Sequence, residues 1–298
     1  MPGPTRQEVE APERGSERSS ARAQLDQDEI LADQPEAIVE RSAEVGHERL
    51  DRSSVDVLIT GFIGGVEVSL GALAAMLVLG AALDLSPRVT LYPGLALAGI
   101  IFPAGFLFVI LGRSELFTEN FLIPVVSVLM REESWQSLLL LWLLSLIGNL
   151  VGCGAIAALV SVPEAVGPPL LRGYEAYTQY KMQLPPTGVF VSAMLAGLVM
   201  TVLTWLVVAV RHPVGKLLVI WAAGYVLFAT NLSHVVVSAA IMFVGFMRLG
   251  YSIPAVLAWL GLATAGNLAG GVTFVTFVRL AQVYEKRRYA RGGQGMGE

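Results

Sequence analysis

Residues 112–121 read GRSELFTENF, and they interrupt one of the most apolar parts of the chain. Before them runs PGLALAGIIFPAGFLFVIL (93–111); after them FLIPVVSVLM (121–130). Arg113, Ser114, Glu115, Thr118, Glu119 and Asn120 thus stand in the middle of a stretch that otherwise belongs in a bilayer. The apolar stretch around this polar knot, 93–130, is too long for one crossing and too short for two crossings with a loop, because one crossing takes about 20 residues. A helix broken at the knot accounts for both the length and the polarity. Irregular backbone at membrane depth is tolerated only where protein buries it or where it lines a cavity.

A second stretch, 215–249, behaves in the same way, with TNLSH (230–234) as its knot. Around these two lie ordinary apolar runs at 55–84, 134–161, 186–210 and 254–280. The chain therefore reads as an all-α membrane protein of six crossings, two of them broken. Hydrophobic residues make up 54% of 298 and the mean hydropathy is +0.64, which fits that class and no soluble one. Charge is segregated. Residues 1–54 hold 7 Lys/Arg and 13 Asp/Glu, the composition of a poor core-former. This segment is expected to be a largely disordered cytoplasmic tail, with an amphipathic helix at 36–50 lying on the membrane surface. The transport domain is expected over 55–282, and a basic cytoplasmic tail over 283–298. No secretory signal is visible at the N-terminus.

Six crossings put both termini on one side. Arg131, Arg211, Lys216, Arg279, Lys286, Arg287, Arg288 and Arg291 fall on that side, and only Arg88, Arg172, Lys181 and Arg248 on the other. The excess makes the termini cytoplasmic. The single cysteine, Cys153, forms no internal disulfide, and no His/Cys cluster suggests a metal; no cofactor or nucleotide motif is present.

The two halves share a pattern. GNLVG (148–152) follows the first knot and GNLAG (266–270) the second. Each half reads as a span, a broken span and a span carrying G-N-L-x-G. Three spans is an odd number, so the second half enters the membrane inverted, and interrupted segments at matching places of inverted halves point to a permeation site near the midplane. Gly148 with Gly152 and Gly266 with Gly270 allow close helix approach, with Asn149 and Asn267 inside the same packing motifs. His234 is the one histidine at membrane depth and sits at a break, where it serves as a hydrogen-bond donor or a proton source; Thr118 is its expected partner across the pore. Phe102, Phe106, Leu116 and Phe117 are packing residues or apolar constrictions. Lys181, read as part of an outer loop before the fourth span, is either a solvated charge or a lure for anions. Glu115 and Glu119 are expected to cap the half-helix beginning near Phe121, with Arg113 pairing one of them. Glu67 is stranded within the first span. It is either a neutralised packing residue or a pore group that shares in the proton balance of His234.

The chain resembles the formate/nitrite transporter family over roughly 55–282, and within it the branch whose knot reads FTEN. The first-knot pattern matches at Phe102, Gly105, Gly112, Leu116, Phe117 and Thr118, the central histidine at His234, the vestibule lysine at Lys181, and the G-N-L-x-G motif at 266–270. The resemblance implies an aquaporin-like fold of two inverted three-helix repeats, a homopentamer with one pore per protomer, and an inner-membrane location in a bacterium. It also implies a substrate pathway through Thr118, His234 and Lys181, and Glu67 and Glu119, which are this chain's own additions, are expected to lie along it. The cargo would be a small monovalent anion of a weak acid, such as formate, nitrite or hydrosulfide. The anion either takes a proton, relayed through the histidine, and crosses as its conjugate acid, or is stabilised in passing. The sequence departs from the family where Asn231-Leu232-Ser233 replace an acid-bearing triplet, where Ser238 and Gly197 replace asparagines, and where Glu67 and Glu119 replace apolar or small residues. These changes leave open a pore for another small solute. Two rivals are an intramembrane serine protease using Gly112-Arg113-Ser114-Glu115, and a membrane scaffold or sensor acting through the acidic tail. Nothing points to nucleic acid.

Overall fold

A computed structural model describes residues 34–85, 90–130, 133–162 and 164–285. Every regular element among them is helical: α1 (Pro35–Leu50), α2 (Ser54–Leu85), α3 (Leu91–Ile101), α4 (Ala104–Gly112), a tight 3-10 turn (Phe117–Phe121) and α5 (Ile123–Leu129). There follow α6 (Trp135–Val160), α7 (Pro168–Gln183), α8 (Pro186–Ala209), α9 (Pro213–Ala229), α10 (Val235–Leu249) and α11 (Ile253–Leu268), which continues through a wider π-helical stretch (Ala269–Phe277) to Glu285. Four continuous helices are long and apolar enough to cross a membrane: Ser54–Leu85, Trp135–Val160, Pro186–Ala209 and Ile253–Glu285. Between them lie two interrupted apolar stretches, α3 to α5 and α9–α10.

Local chemistry sets the boundaries. Proline begins α1, α7, α8 and α9 and stands second in α11, where its missing N–H costs nothing and its fixed φ suits a first turn. The first broken stretch is broken twice, whereas the sequence reading places one break at the knot. Pro103 separates α3 from α4, because a proline inside a helix removes a hydrogen bond and crowds the preceding turn. The knot then begins at Arg113, which closes α4 with a left-handed φ of 57°. Asn231 opens the second knot with φ 56°. Asparagine tolerates that region better than most side chains.

The glycines of G-N-L-x-G act through contact. A Cβ on Gly65 would strike the Asn149 carbonyl, and one on Gly152 the Phe62 carbonyl, so α2 and α6 meet backbone to backbone. The same relation holds in the second half, where Gly197 faces the Asn267 carbonyl and Gly270 the Met194 carbonyl, joining α8 to α11.

The tail helix is not simply laid on a membrane surface. Ile38, Val39 and Ala43 of α1 are buried with Leu122, Val126, Trp205 and Val283. A Cβ on Gly46 would lie 2.6 Å from the Ile123 carbonyl oxygen. Ser127 donates to the Ala43 carbonyl at 3.1 Å, and Arg41 to the Val208 carbonyl at 3.1 Å. The amphipathic face is used against protein. Residues 1–33 and the basic segment 286–298 lie outside the described residues.

Glycine contacts predict a sharp contrast. Gly65→Ala and Gly197→Ala force backbones apart and are expected to cost about 1–3 kcal/mol or more. Gly261 has open space around it, so Gly261→Ala is expected to be neutral or to stabilise by up to ~1 kcal/mol. Thermal unfolding of the detergent-solubilised variants checks this; equal losses at the three positions would refute it.

Candidate functional site

The two knots meet inside the helix bundle. Thr118 Oγ1 lies 2.7 Å from His234 Nε2, with both residues fully buried. The other ring nitrogen, Nδ1, accepts the Val237 N–H at 3.1 Å, so the histidine also caps α10. An imidazole whose Nδ1 accepts carries its proton on Nε2, and this proton is donated to Thr118. The threonine hydroxyl then keeps its own proton available for a solute.

Each knot is held by one asparagine, and the two sets of bonds match. Asn149 Oδ1 accepts from Phe117 N at 2.9 Å, while its Nδ2 donates to the carbonyls of Gly61 (2.7 Å) and Glu115 (2.8 Å). Asn267 Oδ1 accepts from Val235 N at 2.8 Å, while its Nδ2 donates to the carbonyls of Ala193 (2.8 Å) and Ser233 (3.1 Å). A carboxamide offers an acceptor and two donors, which is what a broken helix needs where one N–H and one C=O lose their helical partners. The sequence reading assigns these asparagines to helix packing; their bonds make them clamps on the knots.

Apolar side chains flank the pair. Phe102 stacks on Phe228 (4.5 Å between centroids) and meets Phe106 edge-on (5.2 Å); Phe106 reaches the His234 ring at 6.0 Å. On the α1 side, Leu116 and Phe117 are buried, and Phe117 packs edge-on against Phe121 at 5.0 Å.

Lys181 lies on a helix, α7, and not in a loop. The pattern Leu170, Leu171, Tyr174, Tyr177, Thr178, Lys181 has helical spacing, and all six are buried. Lys181 Nζ donates to the Asn231 carbonyl at 2.6 Å and to Ser233 Oγ at 3.2 Å, and stands 5.3 Å from the Tyr177 ring. Burial pulls its ammonium below the usual lysine range.

On the opposite side the acids of the first knot face the tail helix. Glu115 pairs with Arg52 at 2.5 Å and accepts from Asn120 at 2.6 Å; Arg49 donates to Asn120 Oδ1 at 2.9 Å and lies 3.9 Å from Glu119. The expectation that Arg113 pairs with one of these acids, and that they cap α5, gives way to Arg49, which the sequence reading places on a helix at the membrane surface, and Arg52, which it leaves in the tail. Their i, i+3 spacing at the end of the α1 amphipathic pattern is the signal that finds them. Arg41, Arg49, Arg52, Arg113, Lys216 and Glu119 help to line a cavity of about 430 Å³ here.

Glu67 is not brought to the centre. Its carboxylate lies against Gly112, Oε2 is buried without a hydrogen-bond partner, and no bond among the described residues joins it to His234. His234 binds Thr118 and not Ser114, so no serine nucleophile and base are assembled. No group of three or more His, Cys, Asp or Glu able to hold a metal occurs among the described residues.

Comparison with known proteins agrees with this geometry. A family model described as formate/nitrite transporter matches residues 36–281. The chain is 28% identical to the uncharacterized transporter YrhG of Bacillus subtilis (strain 168), over 85% of this chain and 95% of that one. It is 27% identical to the formate channel BtFdhC of Bacillus thuringiensis, over 85% and 96%. Among solved structures it superposes on an FNT family ion channel with a TM-score of 0.72 and 18% identity, covering 82% and 98% of the two chains. A pentameric formate channel with formate bound gives a TM-score of 0.64 and 17% identity, over 78% and 97%.

The clamps generate a test. Asn149→Leu and Asn267→Leu each leave one N–H and two carbonyls without their partner, at ~1–3 kcal/mol for each orphaned group. Both are expected to lower the melting temperature sharply, and an Asn→Leu variant melting with the wild type would show that water or neighbouring groups replace the amide.

Proposed function

The chain belongs to the formate/nitrite transporter family, a family of membrane transporters and not of enzymes, and we propose that it conducts a small monovalent weak-acid anion past the Thr118–His234 pair, together with a proton. In this reading the chain crosses the membrane six times as two inverted halves. Residues 55–282 form the transport domain, and the segments before and after it are cytoplasmic tails. The excess of Lys and Arg on the side of the termini supports cytoplasmic ends, and the bacterial relatives support an inner-membrane location. The likeness to a pentameric formate channel supports a homopentamer with one pathway per protomer.

The carrying observation is the hydrogen bond that joins the two knots between apolar collars. An unneutralised anion is too costly to move through such collars. Lys181 attracts the anion on its side of the collars. The anion takes a proton from the aqueous phase there and passes as the conjugate acid. Thr118, oriented by His234, donates its hydroxyl proton as a hydrogen bond to the passing oxygen. Among arginines and Glu119 on the α1 side the acid ionises again. His234 acts here by orienting Thr118, with its Nδ1 occupied by the helix cap. Glu67 has no step in this route.

Flux into proteoliposomes against formate, nitrite, hydrosulfide, acetate, ammonium and glycerol tests the reading. Anion flux is expected, rising as the pH of the supply side falls, since the neutral fraction grows roughly tenfold per pH unit above the acid's pKa. Flux of ammonium or glycerol alone would overturn it. Thr118→Val is expected to cut flux by about tenfold or more while Thr118→Ser retains most of it. Lys181→Glu is expected to slow uptake, with the deficit shrinking in high salt as long-range repulsion is screened.

A further inference from the structure

Asn231 is 94% buried, and both polar atoms of its side chain, Oδ1 and Nδ2, are without a hydrogen-bond partner. The same residue receives the ammonium of Lys181 on its main-chain carbonyl. An ammonium has three N–H donors. Two of them go to the Asn231 carbonyl and Ser233 Oγ, which leaves one, facing the Tyr177 ring region, without a conventional acceptor. A buried carboxamide with neither end satisfied carries a penalty that proteins rarely accept without a compensating ligand. The two amides that clamp the knots from α6 and α11, Asn149 and Asn267, show what a purely structural asparagine does here: the oxygen accepts and both N–H groups donate.

We infer that Asn231 is a specificity-determining residue beside Lys181, which recognises the carboxyl group of a small carboxylic acid through its side-chain amide. This rests on the transport reading above and narrows its cargo. A carboxamide and a carboxylic acid are mutually complementary: the acid O–H donates to Oδ1 while Nδ2–H donates to the acid carbonyl. A bare carboxylate satisfies Nδ2 and the spare Lys181 N–H but leaves Oδ1 alone, so the amide favours the protonated form at the point where the apolar collars begin. Hydrosulfide and its conjugate acid make only weak sulfur bonds and gain little from the same amide.

The left-handed backbone of Asn231 offers a bland explanation for the residue type, and the test separates the two. Asn231→Gly keeps that backbone accessible and removes only the amide. With the full-length protein in proteoliposomes, Asn231→Gly is expected to raise KM for formate about tenfold, the worth of one to two hydrogen bonds, with hydrosulfide flux unchanged and the melting temperature equal to or above that of the wild type. A wild-type formate KM in Asn231→Gly, or equal loss for both solutes, overturns the assignment and returns Asn231 to a turn residue. Wild-type protein that carries hydrosulfide but not formate overturns the carboxyl subsite alone. Wild-type protein that carries no anion overturns the transport reading on which it rests.

Discussion

Breaking a helix at membrane depth releases backbone donors and acceptors that lipid will not satisfy, and this molecule does it twice. All else follows from how those groups are repaid. One asparagine per half supplies an acceptor and a donor to its knot and a second donor to the neighbouring helix, Gly61 on α2 or Ala193 on α8, and glycines bring the helices close enough for it to reach. The hydrogen bonds of Asn149 and Asn267 correspond one for one. The knots therefore present Thr118 and His234 to each other as fixed groups and not as mobile loop residues.

The histidine illustrates how function and local structure share atoms. Its Nδ1 ends the second knot by capping α10, and its Nε2 reaches Thr118. Each bond constrains the other. The cap fixes the tautomer, the tautomer makes Nε2 the donor, and the donor leaves the threonine proton free. Phe106 beside the ring and Phe102 beyond it give the pair an apolar surround.

Much of this was legible before any coordinates. Hydropathy and length reveal the apolar runs and both breaks, because a polar residue in a twenty-residue apolar window has few explanations. Thr118, His234 and the two G-N-L-x-G motifs stand out for the same reason. Other features were hidden by the form of their signal. Pro103 gives a second break in a run whose composition never changes. The helix carrying Lys181 is short, amphipathic and rich in tyrosine, so its period is masked by apparent loop polarity. Arg49 and Arg52 lie in a segment whose overall charge describes disorder, while their partners sit more than sixty residues away. Glu67 is legible as an oddity but not in its placement: a carboxylate within a span invites a pairing with His234, whereas its position against Gly112 follows from side-chain direction on α2, which the sequence does not display.

The contact between α1 and the first knot also decides where this protein can be cut. The change from polar to apolar composition near residue 54 invites the view that everything before it is dispensable. Yet Arg52 and Arg49 are the countercharges of Glu115, and α1 covers apolar surface of α5, Trp205 and Val283. A cut near residue 54 removes the helix together with Arg52, leaves a buried carboxylate without its guanidinium partners and bares an apolar face. The natural seam for a tag, fusion or truncation therefore lies ahead of Pro35, some twenty residues before the hydropathy profile would place it.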